Sequence, residues 1–218
     1  MNSLSFDLFW SMRSPYCYLA LDRILEIQRN YEVEVNLRLV YPIAIRDPDF
    51  FKVRASRHYR PYLLRDTARL ADYHGISFRR PVPDPVVQNL ATSEIADEQP
   101  YIYTLTRLAA LAAEKGAGLN FLDQIARLLW DGQTDNWDQG EHLAQAMKRA
   151  GLDADEMFDQ AAADAAAIDA TIHANEAAQQ ASGHGGVPLM VFKGEPFFGQ
   201  DRIKLLVWRM KQNGLAER

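Results

Sequence analysis

Strand-forming sequence occurs only at the two ends of this chain, and that separation constrains its fold more than any other feature. Near the N-terminus, Ser5 to Trp10 gathers Phe6, Leu8, Phe9 and Trp10 in a short apolar run suited to a buried strand. Val33 to Val40 alternates, setting Val33, Val35, Leu37 and Leu39 against Glu34, Asn36 and Arg38, the period-two pattern of a second strand. Between them Ser14 reads as an N-cap and Pro15 as the first residue of a helix running to about Arg29, with Cys17, Leu21, Ile24 and Leu25 on one face. Strand, helix and strand in this order form a βαβ unit. The β signal returns only at Leu189 to Phe192. There Lys193-Gly194-Glu195-Pro196 makes a turn and Phe197-Phe198 restarts a strand. Ile203, Leu206, Val207 and Met210 then mark a helix face that stops near Gly214.

The intervening sequence is helical in character. After the Pro81 to Pro85 run, an irregular connection, apolar residues recur at helical spacing in Leu105, Leu108 and Ala112, in Leu122, Ile125 and Leu129, and in Leu143, Ala146 and Met147 before Gly151. Ala154 to Ala181 is alanine-rich and helix-prone. The expected architecture is therefore α/β: a discontinuous domain of residues 1–45 and 183–218, with an all-helical insertion over residues 46–182.

Composition excludes several function classes. The 218 residues are 48% hydrophobic and 24% charged, ordinary for a globular protein and enough for a real core. No apolar run approaches the roughly 18 residues of a membrane span, and the N-terminal stretch lacks the basic and apolar regions of a signal peptide. Cys17 is the sole cysteine, which rules out an internal disulfide and makes the cytoplasm the expected compartment. A net charge of −5 argues against a nucleic-acid partner. The charge is uneven: residues 46–80 carry nine Lys/Arg and four Asp, while residues 151–182 carry seven Asp/Glu and no Lys/Arg. The acidic segment reads as a solvated helix face; the basic one reads either as scattered surface arginines or as the lining of an anion site. The five histidines show no metal-ligand spacing, so no metal is expected. The glycines at 183, 185 and 186 make no phosphate loop, because no Lys-Ser/Thr follows them.

Three short constellations carry chemistry. Ser14-Pro15-Tyr16-Cys17 sits where a strand meets a helix, and a helix N-terminus favours a thiolate through its free N–H groups and dipole. Serine at the leading position cannot exchange disulfides but can donate a hydrogen bond to a thiolate brought by a ligand; equally, Ser-Pro is simply a good helix start. Gly185-Gly186-Val187-Pro188-Leu189 places a proline at a strand entry. Phe198-Gly199-Gln200-Asp201-Arg202 puts Gln200 and Asp201 at a strand-to-helix junction, where they complement the dipole or suit a ligand's ammonium and carboxylate.

Taken together, in this order, the segments DLFWSMRSPYCYLALD (Asp7 to Asp22), RPYLLRDTARLADYHGISF (Arg60 to Phe78) and SGHGGVPLMVFKGEPFFGQDRI (Ser182 to Ile203) resemble the DsbA-like branch of the thioredoxin fold. Within it they are most similar to 2-hydroxychromene-2-carboxylate isomerases and kappa-class glutathione transferases. The resemblance implies a thioredoxin fold with a large helical insertion, a homodimer, and glutathione as cofactor. It implies that Ser14 activates the glutathione thiol, with Pro15 opening the helix. It implies that a cis Val187-Pro188 bond presents backbone to the cysteinyl part, and that Gln200 and Asp201 hold the γ-glutamyl end. The reaction implied is isomerisation of a conjugated, aromatic-derived acid, with glutathione transfer, or a DsbA-like thiol oxidoreductase or binding protein without a Cys-x-x-Cys motif, as alternatives. Two departures stand out. These isomerases usually have serine where this chain has Cys17, and a Gly-Asn-Arg stretch where it has Arg57-His58-Tyr59-Arg60. Arg46, Lys52 and Arg57 are then the candidates for an anionic substrate or for the glycyl carboxylate of glutathione.

Overall fold

The computed structural model describes residues 4–89 and 91–218; the first three residues, where the reading of an absent signal peptide begins, lie outside the described residues. β1 (Leu4–Trp10) and β2 (Val33–Leu39) pair in parallel across the helix α1 (Pro15–Asn30), in a register that sets Leu4 opposite Val33 and Trp10 opposite Leu39. The alternating residues of β2 and the apolar run of β1 thus belong to one crossover unit. On the other side of β1 lies β3 (Leu189–Phe192), antiparallel, followed by β4 (Glu195–Phe198), giving the sheet order β2-β1-β3-β4. Pro196 is tolerated inside β4 because that strand is the sheet's edge, where a missing N–H costs no ladder bond on the outer side.

Between β2 and β3 the described residues form helices and loops, apart from one isolated bridge between Gln88 and Ile95. In order these are α2 (Ile43–Arg46), a π-helical turn (Phe50–Arg54), α3 (Tyr59–His74), α4 (Ile102–Glu114), α5 (Gly118–Trp130), α6 (His142–Arg149), α7 (Ala154–Ala163) and α8 (Ala165–Ala181). α9 (Ile203–Lys211) closes the chain after a 3₁₀ turn over Gln200–Arg202. The apolar periodicity of α4 and α5 is buried as expected, with Leu105, Leu108, Leu122 and Ile125 at 0–1% exposure. These helices do not form a remote module: α4 and α8 pack on β2, and α5 packs on α1. A Cβ on Gly118 would stand 2.9 Å from both Ala113 Cα and Leu37 Cδ2, so the turn between α4 and α5 can approach the sheet this closely only as glycine.

Two local features go beyond what the sequence pattern marks. The alanine-rich run from Ala154 to Ala181 is not one helix: Asp164 ends α7, its N–H bonding Gln160 O at 2.9 Å, and its carbonyl receives the Ile168 N–H at 3.0 Å to open α8. Aspartate competes with helical backbone bonding, and its acceptance of a turn-like conformation (φ −98°, ψ 14°) lets the chain change direction. Helix α3 carried no clear apolar stripe in the sequence. Only Thr67 and Ala71 of it are buried, and Tyr62 and Tyr73 are exposed. No helix of the described residues is long and apolar enough to cross a membrane.

Candidate active site

The Ser14 backbone is extended (φ −90°, ψ 117°), and its Oγ accepts the Cys17 N–H at 3.3 Å, as an N-cap should. That bond uses an acceptor lone pair; the hydroxyl hydrogen, which rotates, remains for a ligand. No acidic residue lies in the first turn of α1, so the positive end of this 16-residue helix is not neutralised locally. Cys17 is one turn further in, on the opposite footing: it is 0% exposed, and burial pushes its thiol up to about 12 despite contacts with Ser11 and Ser14 that favour the thiolate. It packs as a small apolar residue.

Ser14 opens onto a cavity of about 540 Å³. The loop before β3 also lines it, with the Val187–Pro188 peptide in the cis form. The N–H and C=O of Val187 have no hydrogen-bond partner among the described residues, and Val187 lines the cavity. The Pro188 carbonyl is already taken by the Gly199 N–H at 2.9 Å. Gly186 is held tightly in this loop. A Cβ there would meet Phe198 Cε2 at 2.5 Å and His184 Cε1 at 2.9 Å. Its N–H donates to His184 Nδ1 at 2.9 Å, which leaves the neutral ring's proton on Nε2. Burial lowers the pKa of His184, which also stacks on Phe198 at 3.7 Å between ring centroids.

The opposite wall comes from residues far away in sequence. Phe50, Phe51 and Tyr59 cluster through edge contacts with centroids 5.1–6.0 Å apart. Phe78 stacks on Trp130 at 5.8 Å, and the Trp130 Nε1–H donates to Met12 O at 3.2 Å. Tyr16 donates to Asp66 Oδ2 at 2.8 Å; burial and that carboxylate keep its phenol protonated well above the usual range. Set into this apolar surface, Arg13 grips Asp84 through Nε at 2.7 Å and Nη2 at 2.9 Å, and Arg80 adds Nη2 at 2.7 Å.

The structure brings together some of the candidate residues. Ser14, Pro15, Val187 and Arg46 line the cavity. Arg46 is lowered in pKa by burial; its guanidinium donates only to neutral acceptors, Gln179 Oε1 at 2.9 Å and the Gly185 carbonyl at 3.0 Å, and its Nε is buried without a partner. Gln200 is buried outside the cavity lining, its side-chain and backbone oxygens both taken by Arg23. Asp201 is exposed and bridges Arg202 at 2.6 Å. Lys52 faces Glu94 at 3.7 Å, and Arg57 contacts His58; neither lines the cavity. Sequence reasoning missed Arg13, Arg80, Asp84 and His184. Arg13 was the detectable one, lying next to Ser14. Among the described residues no group of three His, Cys, Asp or Glu is placed to hold a metal ion.

Comparison with known proteins identifies the fold that carries this cavity. No curated protein sequence matches the chain. Among solved structures, a 2-hydroxychromene-2-carboxylate isomerase superposes with a TM-score of 0.71 at 18% identity, covering 96% of this chain and 95% of that one. A probable DsbA oxidoreductase from Streptomyces coelicolor gives 0.65 at 20% identity, with 96% and 89% covered. The cytosolic disulfide reductase DsbM from Pseudomonas aeruginosa, determined with GSH, gives 0.58 at 16% identity, with 95% and 100% covered. At these identities the likeness establishes the fold, a DsbA-like thioredoxin fold. The model of the DSBA-like thioredoxin domain matches residues 6–211, nearly the whole chain, and with it the protein belongs to the DsbA-like thioredoxin domain family.

Proposed function

We propose that this protein is a glutathione-dependent isomerase of the 2-hydroxychromene-2-carboxylate isomerase type, acting on a conjugated, aromatic-derived acid. The observation that carries the reading is the pairing of Ser14 with Val187: a residue that caps an unneutralised helix N-terminus and a residue with an unpaired backbone N–H and C=O line one cavity. This is the arrangement a cysteinyl ligand requires, with two backbone bonds for its peptide and a donor for its sulfur. When bound, glutathione supplies a thiolate nucleophile that is regenerated at the end of turnover. The Ser14 hydroxyl and the first N–H groups of α1 stabilise negative charge on that sulfur. Val187 fixes the cysteinyl backbone, and Phe78, Trp130 and Phe51 exclude water from the conjugated system. Neither residue expected at the γ-glutamyl end lines the cavity: Arg23 holds the side-chain oxygen of Gln200, and exposed Asp201, paired with Arg202, is the one whose carboxylate a γ-glutamyl ammonium could still reach.

Thiol–disulfide oxidoreduction, the activity named for several solved relatives, is the competing reading. It would have to proceed without a thiol of this chain, since Cys17 is sealed in the core with its proton held to about 12. A homodimer in the cytoplasm completes the proposal; a scattering mass of one chain at micromolar concentration would count against the dimer.

The test is linkage. Glutathione at about 100 times its Kd stabilises the folded state by about 2.7 kcal/mol. For a protein of this size that moves Tm by roughly 5–11 °C. Glutathione disulfide, which brings no thiolate to the helix, is expected to give less. Millimolar glutathione that leaves Tm unchanged and gives no calorimetric heat would end the glutathione reading.

A further inference from the structure

The cavity carries more positive charge than the proposed thiol chemistry uses. Among its described lining residues are Arg13, Arg46, Arg60 and Arg80, against one carboxylate, Asp84. Asp84 is fully occupied. Its Oδ1 accepts from Arg13 Nε at 2.7 Å and from the Val86 N–H at 3.0 Å, and its Oδ2 accepts from Arg13 Nη2 at 2.9 Å and Arg80 Nη2 at 2.7 Å. One carboxylate thus serves as the anchor that orients two guanidiniums. Donors are left over: Arg13 Nη1 and Arg80 Nε and Nη1 have no hydrogen-bond partner among the described residues, and none of these atoms is sealed from solvent. A third guanidinium, Arg60, lies over the Phe51 ring at 5.3 Å. Its charge is disfavoured first by burial and then by Arg13 and Arg80, with Asp84 offsetting them only in part. Burial by itself would raise the Asp84 pKa, yet Arg13, the Val86 N–H and Arg80 together hold it below the usual carboxylate range.

We propose that Arg13 and Arg80, oriented by Asp84, form a carboxylate-binding subsite in the cavity wall, and that the ligand it selects is a planar aromatic acid whose ring packs against the neighbouring Phe51, Phe78 and Trp130. Planar guanidiniums with spare N–H groups match a carboxylate in geometry as well as charge. The apolar surround strengthens that attraction and gives the ring a surface to cover. The subsite rests on the proposed function in taking this carboxylate as the substrate's. It assigns the recognition to residues other than Arg46, Lys52 and Arg57.

The experiment leaves glutathione out, so that its failure is distinct from failure of the thiol reading. Calorimetric titration of the wild-type protein with 2-naphthoate and with uncharged 2-naphthamide is expected to show the acid binding at least about tenfold more tightly, the lower end for hydrogen bonds to a charged group. The preference should shrink as salt is added. Arg80→Gln leaves Asp84 with Arg13 and Val86 and is expected to remove most of the preference without weakening the amide; Arg80→Lys is expected to retain part of it. Circular dichroism checks that each variant is folded. Equal affinities of acid and amide for the wild type would refute the subsite with no variant needed, as would no binding of either at millimolar concentration. A preference that survives Arg80→Gln but disappears in Arg46→Gln would move the anion to the other wall and overturn the assignment.

Discussion

The cavity's two walls are made in different ways. The wall formed by the start of α1 and the loop before β3 works through backbone: a capped helix N-terminus at Ser14 and the unpaired N–H and C=O of Val187. Its functional groups are fixed by the sheet, because β1 delivers the chain to Ser14 and β3 begins just after Val187. The wall formed by residues 50–84 works through side chains, with the Phe50, Phe51 and Tyr59 cluster and with Arg80 and Asp84, which Arg13 reaches across from beside Ser14, on a surface that includes a π-helical turn and an irregular connection. The proposed thiol cofactor, with its constant peptide backbone, would use the first kind of wall. The proposed substrate meets the second, which can change residue by residue while the sheet stays intact.

The largest expected effect comes from the residue that joins the walls. Trp130 stacks on Phe78 and donates to Met12 O, two residues before Ser14. Trp130→Ala should cost about 3–5 kcal/mol, as large core truncations do. At about 2–4 °C per kcal/mol, thermal denaturation should show a loss on the order of 10 °C. A loss under about 3 °C would mean the walls are independent. Next comes Ser14→Ala, which isolates the backbone wall. Losing a hydrogen bond to a charged sulfur, about 1.5–3 kcal/mol, should lower turnover roughly 10- to 150-fold. Losing the N-cap should lower stability by about 1 kcal/mol. If glutathione binds yet neither affinity nor rate changes in the variant, the helix N–H groups act alone.

Cys17→Ser follows, and it separates packing from chemistry on α1. Activity should stay within about tenfold, whereas the hydroxyl placed at a fully buried position should cost stability, about 1–3 kcal/mol if left unbonded. Rapid labelling of Cys17 by a thiol reagent in the native state would contradict the inert role. The smallest effect is a pH dependence at the loop. The His184 pKa is lowered in the folded protein, so its contribution is fully present above the unfolded value of about 6.5 and is lost as pH falls through the lower folded value. His184→Gln should flatten the acid limb of a Tm–pH profile, while His74, lowered too, keeps some slope. An unchanged profile would show that burial does not lower the His184 pKa in the folded protein.

Much of this was legible from local pattern. The βαβ unit, the β3–β4 hairpin and α9 followed from period and turn chemistry, since each is determined by residues adjacent in sequence. The break at Asp164 and the helix α3 did not follow. Alanine suits any helix without marking where it ends, and α3 buries too little to leave a stripe. At the site, Ser14 was identifiable because a cap is a local event. Gln200 read as a ligand residue, yet Arg23 holds its side-chain oxygen, a contact 177 residues apart that no motif records.

The sequence by itself determined the thioredoxin-like frame, the absence of a second cysteine, and the serine at the head of α1, because these depend on residue identity and short-range periodicity. Only the tertiary structure decided which charges face the cavity. Asp84 lies 71 residues from Arg13, and Arg46 lies 133 from Gln179; each pair is made by how the helical stretch folds back on the sheet. It also decided the fate of Cys17. A thiol one turn into a helix is reactive or inert according to what covers it, and here packing seals it from water, which destabilises the thiolate more than the helix end favours it.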